Sequence, residues 1–346
     1  MLLVILGAGA SYDSIPAKRL DAREWARHPA RPPLADQLFE PRPKFLEALS
    51  VFPRIAPIVP YLQQRPEGES VETVLQRLRD EADRYPERIV QLAAVRYYLQ
   101  RVVWQCTNEW YGMSAGATNF ATLLDQIQSW RRPQDQVGIV TFNYDRLLEL
   151  ALERQHGWQF NSVADYVNRD DVRVFKVHGS VDWGIKVSSP VHNVSGRPEQ
   201  DLVEELISRA ASLELSKEHY IVQQLPTVRL GSEALVPSLS IPVQQKSEFA
   251  CPSEHMEALE AWLPGVRRIL VVGWKAEDRQ FMELLAACLK GVRVRVHVVA
   301  KDIGSANDTI TRIKHAGFNG KFTPSPLGFS DFVTRRAGEE FLSSRP

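Results

Sequence analysis

A chain of 346 residues with 42 basic and 42 acidic side chains carries no formal net charge, which removes any global attraction to nucleic acid or to an anionic membrane. Hydrophobic residues make up 44% and charged residues 24%, the proportions of a globular protein with a sizeable core, and no apolar run reaches the length of a membrane span. Three scattered cysteines (Cys106, Cys251 and Cys288) without CxxC spacing argue against a structural zinc module and for a reducing, cytoplasmic setting.

In chain order, Leu2 to Leu6 is a continuous apolar run with no basic lead, followed at once by glycine. It predicts a buried strand of a parallel sheet rather than a signal segment. Gly7-Ala8-Gly9-Ala10-Ser11 then makes a turn into a helix that Ser11 can cap. A passage with Pro29, Pro32 and Pro33 precedes a largely helical stretch over 44–132. Within it, Val71, Val74, Leu75 and Leu78 share one helical face, 87–110 predicts a long helix and Phe120 to Trp130 a third. Strand patterns return at Val137 to Phe142 and Val172 to Val177, with a helix from Arg146 to Arg154 between them. Residues 187–235 read as a polar loop and one helix, Leu202 to Leu213. A helix over Ser253 to Trp262, a strand over Arg268 to Gly273, a helix over Asp278 to Leu289 and a strand over Val292 to Val299 follow. Strands alternating with helices predict an α/β, Rossmann-like parallel sheet with a largely helical insertion over 44–132, in a single domain spanning 1–346.

Three segments carry chemistry. The glycine turn after a strand brings backbone N–H groups to where a phosphate can sit; a plain tight turn is the alternative. The ordinary dinucleotide fingerprint adds a third glycine and a downstream acid, but Tyr12 holds the glycine position and nothing around Glu24 reads as a second strand. Asn143 and Asp145 follow a strand two residues apart and can both face a site mouth; the alternative is an Asx turn with Asp145 as a helix cap. His178, before Gly179-Ser180 at another strand end, is the side chain best poised to accept a proton near neutrality, although a lone histidine also serves structural ends.

In this order and spacing the segments resemble the sirtuin superfamily, most closely the divergent bacterial branch of sirtuin-like NAD-cleaving domains found in antiphage defence systems. The resemblance covers about 1–40 and 136–335. It implies that Gly7, Ala8, Gly9, Ala10 and Ser11 hold the pyrophosphate of NAD, Asn143 orients the reactive water, Asp145 organises the nicotinamide end and His178 contacts the ribose and acts as base. Asp182 and Trp183 extend the match past the histidine. Gly273 and Asp278 fall at further NAD-binding positions, but Trp274 replaces a hydroxyl residue, and Lys275 either meets a phosphate or is simply solvated. The ribose-binding asparagine is replaced within Ala300-Lys301-Asp302. Without the four-cysteine zinc module, the resemblance implies NAD hydrolysis to nicotinamide and ADP-ribose, as an NAD-depleting defence effector, rather than deacylation. It further implies a homo-oligomer and a partner such as a hexameric ATPase or a short Argonaute, while the charge balance and the apolar runs predict neither membrane nor direct nucleic-acid binding. The alternatives are a non-catalytic nucleotide-binding regulatory subunit and an ADP-ribosyl or acyl transferase.

Overall fold

The computed structural model describes residues 1–16, 28–132, 134–223, 225–243 and 249–343; the position around Glu24 lies outside them. Internal packing divides the chain into two compact units, one of Met1–Pro32, Thr107–Val177 and Ser253–Pro346, the other of Pro33–Cys106 and His178–Pro252.

The first unit is built on a six-stranded parallel sheet. Its strands are β1 (Leu2–Leu6), β2 (Val137–Thr141), β3 (Val172–Lys176), β8 (Arg268–Val272), β9 (Arg293–Val299) and β10 (Asn319–Ser325), in the order β10-β9-β8-β1-β2-β3. Leu2 to Leu6 are all buried because β1 is central, paired in register with Val137 to Thr141 on one side and Arg268 to Val272 on the other. Strands β2 and β3 add outward from β1 on one side and β8, β9 and β10 on the other. The order therefore reverses between β1 and β8, and in open α/β sheets ligands bind outside the carboxyl ends of the strands at that reversal. The predicted α/β, Rossmann-like parallel sheet is what the chain forms.

Local chemistry sets the helices of this unit. The glycine turn leads into α1 (Ala8–Tyr12), and α6 (Asn119–Trp130) starts where the Thr118 side chain accepts from the Ala121 N–H. Between β2 and β3 lies α7 (Leu147–His156), closed by Gly157 in the left-handed conformation. After α9 (Ser253–Trp262) and β8, α10 (Arg279–Cys288) is capped by Asp278 and α11 (Ile303–His315) by Asp302. The short helices α12 (Gly328–Thr334) and α13 (Glu339–Ser343) finish the described chain.

The second unit has its own core. It holds α2 (Pro43–Val51), α3 (Val59–Gln63), α4 (Val71–Asp80) and α8 (Glu199–Ser208), with Phe45, Ile55, Ile58, Leu62 and the predicted stripe of Val71, Val74, Leu75 and Leu78 buried. The long helix α5 (Glu87–Ser114) crosses the division between units at Cys106. A four-stranded antiparallel sheet, in the order β5-β4-β7-β6, comprises β4 (Gly179–Val187), β5 (Leu215–Ile221), β6 (Arg229–Leu230) and β7 (Glu233–Leu239). This corrects the reading of 187–235 as loop and helix. The helix is there, but β5 places Leu215, Lys217 and Glu218 in solvent and so lacks the apolar run that marks a buried strand. Buried Gln100 on α5 donates to the Val181 carbonyl at 2.8 Å and accepts from the Thr227 N–H at 3.1 Å. Among the described residues no single helix is long and apolar enough to cross a membrane.

Candidate functional site

The reversal between β1 and β8 is drawn together by three glycines. The Gly7 N–H donates to the Val272 carbonyl and the Gly9 N–H to the Gly273 carbonyl, each at 3.0 Å. A Cβ on Gly7 would stand 2.5 Å from the Gly273 oxygen, and one on Gly9 2.8 Å from the Gly273 Cα. Gly273 itself has φ +61°, the left-handed region, and its Cβ would meet the Ala10 nitrogen at 2.4 Å. The glycines are thus required by the crossing of two backbone segments. That crossing uses the N–H groups of Gly7 and Gly9, while Ala10 donates back to the Gly7 carbonyl at 2.8 Å. Helix α1 is five residues long, with Gly7 as its N-cap. Ser11 therefore lies inside α1 and does not cap it; its hydroxyl is turned instead toward the end of β2.

There the Asn143 amide nitrogen donates to Ser11 Oγ at 2.8 Å, and the Asn143 N–H donates to Thr141 Oγ1 at 3.1 Å. Asn143 is 7% exposed, and its side-chain oxygen has no hydrogen-bond partner among the described residues. Asp145, also buried, accepts the Leu147 N–H at 3.0 Å and a hydrogen bond from Ser11. A serine hydroxyl has one proton; given to Asp145, it leaves only lone pairs for Asn143, so the asparagine must present its NH2 there and turn its oxygen away. Burial pushes the Asp145 carboxyl above the usual carboxylate range, opposed by the Lys176 ammonium and by the hydrogen bonds from Ser11 and Leu147. Ser11, Asn143 and Asp145 form one hydrogen-bonded group.

Lys176 lies beneath this group and is the residue sequence reasoning missed. Its side chain is fully buried, donates to the Asp145 main-chain carbonyl at 2.5 Å and pairs with the equally buried Glu149 at 2.7 Å. The Tyr166 hydroxyl donates to the same Glu149 oxygen at 3.1 Å. The available signal was a lone charge inside the apolar run Val174-Phe175-Lys176-Val177, since a charge in a buried strand needs a partner. Asp13 was missed too. It accepts the Ser330 N–H at 2.9 Å and hydroxyl at 2.6 Å, tying the end of the glycine turn to α12.

Beyond Gly273 the chain departs from a phosphate-binding pattern. Trp274, 8% exposed, stacks on Phe142 with centroids 5.0 Å apart and meets Phe281 edge-on at 5.7 Å. It supplies an aromatic wall over the β1 end in place of a hydroxyl donor. Lys275 is exposed, and Asp278 Oδ1 accepts the Phe281 N–H at 2.9 Å as the cap of α10. His178 opens the second unit, in the turn between β3 and β4; it is 7% exposed and its carbonyl accepts the Ser240 N–H at 2.9 Å. Gly179 beside it has φ +77°, and a Cβ there would lie 2.0 Å from the Ser238 oxygen on β7, so the residue after the histidine must be glycine. Cys106, Cys251 and Cys288 are free thiols, and no group of three or more metal-ligating side chains is found among the described residues.

Residues 137–308, which run from β2 into α11, match the family model for the SIR2-like domain. The chain carries a SIR2-like domain. No curated protein matches the chain. SIR2-like domains bind NAD and are commonly NAD-dependent enzymes. The matched span contains Asn143, Asp145, His178, Gly273 and Asp278 but not the glycine turn. The SIR2-like domain reaches that turn through structure, by the Ser11–Asn143 hydrogen bond and the Gly9–Gly273 crossing.

Proposed function

We propose that the protein is an NAD hydrolase that cleaves the bond between nicotinamide and ribose. The observation that carries this reading is the Asn143 amide, its nitrogen held by Ser11 and its oxygen buried at the carboxyl end of β2 with no partner among the described residues. An acceptor so placed takes one O–H of a water and leaves the water's lone pair for the anomeric carbon. Nicotinamide departs as a neutral ring, so the ribose passes through an oxocarbenium-like state, as in other glycosidic cleavages. Water adds at C1′ and its proton goes to a base, the role the family resemblance gives to His178. The products are nicotinamide, ADP-ribose and a proton.

In this reading Asp145 supports the nicotinamide end, and the glycine turn with Gly273 and Asp278 lines the pyrophosphate side. The N–H groups of Gly7 and Gly9 serve the backbone crossing and that of Ala10 the turn back to Gly7, which leaves the Ala8 N–H at the start of α1 as a phosphate donor. The wider role, an NAD-depleting effector of antiphage defence acting as an oligomer or with a partner ATPase or Argonaute, rests on the sequence resemblance alone, and the cytoplasmic setting on the three scattered cysteines. The reading of 1–346 as one domain with an insertion over 44–132 rests on the alternation of strand and helix patterns in the sequence. A non-catalytic nucleotide-binding subunit gains support from Trp274, which removes a hydroxyl from the ligand side. The test is incubation of the purified protein with NAD, alone and at high protein concentration, with chromatographic detection of nicotinamide and ADP-ribose. Stoichiometric appearance of both supports the hydrolase; binding without turnover at any concentration supports the regulatory subunit.

A further inference from the structure

Nothing in the reaction above uses the Lys176–Glu149 pair, yet both side chains are fully buried, 2.7 Å apart. An ion pair taken wholly out of water is a poor source of stability, since well-packed apolar residues of the same volume often serve as well. Lys176 does one thing that no apolar residue can. From the last position of β3 it donates to the Asp145 main-chain carbonyl at 2.5 Å, joining the end of β3 to the turn between β2 and α7. Glu149, one helical turn after Asp145, fixes the ammonium in place and is itself held by the Tyr166 hydroxyl at 3.1 Å.

The turn so tethered is the one that carries Asn143. The turn is also attached by the Phe142 N–H to the Leu6 carbonyl at 2.9 Å, the Asn143 N–H to Thr141 Oγ1, the Asp145 carboxyl to the Leu147 N–H, and the Ser11 hydroxyl to both Asn143 and Asp145. These attachments lie on α1, β1, β2 or α7; the ammonium of Lys176 adds a charged link from β3. We propose that Lys176, held by Glu149, is a positioning residue that locks the Asn143–Asp145 turn and thereby fixes the direction of the Asn143 amide. The kinetic consequence rests on the hydrolase reading; the geometric one does not.

The test uses the full chain with Lys176→Met and Glu149→Gln together, because removing the lysine alone leaves a buried carboxylate uncompensated. Two quantities are read in the folded variant. One is turnover, with NAD affinity measured separately. The other is hydrogen exchange of the Asn143 side-chain amide, assigned by its loss in Asn143→Ala. The tether predicts that kcat falls about ten- to a hundredfold, because a catalytic group misplaced by about an ångström costs that much, while NAD affinity stays within about threefold. It also predicts amide exchange faster by about tenfold or more. A merely structural pair would lower thermal stability and leave kcat per folded molecule and the exchange rate unchanged, and that result overturns the proposal. Should the double variant not fold, Glu149→Gln alone keeps the shape and one acceptor for the ammonium. It must then speed Asn143 exchange at least about threefold, and an unchanged rate overturns the proposal. If the unaltered protein releases no nicotinamide, the hydrolase reading fails and the exchange measurement alone decides the tether.

Discussion

Replacing Gly273 by alanine combines two costs that the structure separates. At φ +61° an L-residue sits in the left-handed region, which costs about 1–2 kcal/mol. The added Cβ also lands 2.4 Å from the Ala10 nitrogen and 2.5 Å from the Gly9 carbonyl carbon, backbone atoms that no rotamer change can move. Overpacking of this kind costs about 1–3 kcal/mol more, for a sum of about 2–5 kcal/mol. In a unit of roughly 150–250 residues each kcal/mol lowers Tm by about 2–4 °C, so the expected loss is about 4–20 °C. Gly291 is the internal control, with φ +76° and nothing within 4 Å of its Cβ. Alanine there bears only the conformational cost, about 1–2 kcal/mol, or about 2–8 °C. Thermal unfolding of the two variants side by side isolates the backbone crossing. NAD binding, read by calorimetry, should weaken in Gly273→Ala and stay unchanged in Gly291→Ala. Equal Tm losses would refute the claim that the glycine turn and the segment after β8 are locked together.

Ser11→Ala removes the hydroxyl between Asn143 and Asp145. It should lower kcat about ten- to a hundredfold with NAD affinity nearly unchanged, and an unaltered kcat in steady-state assays would remove Ser11 from the site. Because burial raises the folded-state pKa of Asp145, the folded chain binds more protons than the unfolded one between the ordinary and the raised values. Asp145 therefore costs stability that is absent in acid and grows as pH rises through that window. The stability of Asp145→Asn relative to the unaltered protein should accordingly increase from about pH 4 to pH 7 in denaturant titrations; a flat or falling difference contradicts the assignment. Elemental analysis of purified protein should show no stoichiometric zinc, and finding it would revive the deacylase alternative.

The sheet was legible where burial on both faces leaves an uninterrupted apolar run, as in β1, β2 and β8. Strand β5 was not, because Leu215, Lys217 and Glu218 face solvent and read as loop. Strand β10 also went unread, since its first three residues are exposed. Asn143 and Asp145 could be recognised because their spacing after a strand is local. Lys176 could not be joined to Glu149 from sequence, since the pair is formed by sheet register and helix packing across 27 positions. The glycines were singled out for a phosphate, and the structure gives them a second, steric requirement. A backbone crossing at Gly273, invisible before the strand order was known, is what excludes a side chain at Gly7 and Gly9.

The most direct test of the account measures NAD binding and nicotinamide release together for the unaltered protein, Asn143→Ala and His178→Ala. The account predicts release by the unaltered protein and losses of about a hundredfold to ten-thousandfold in the variants, with NAD still bound by all three. Near-normal release by both variants, under conditions where the unaltered protein is active, would contradict it.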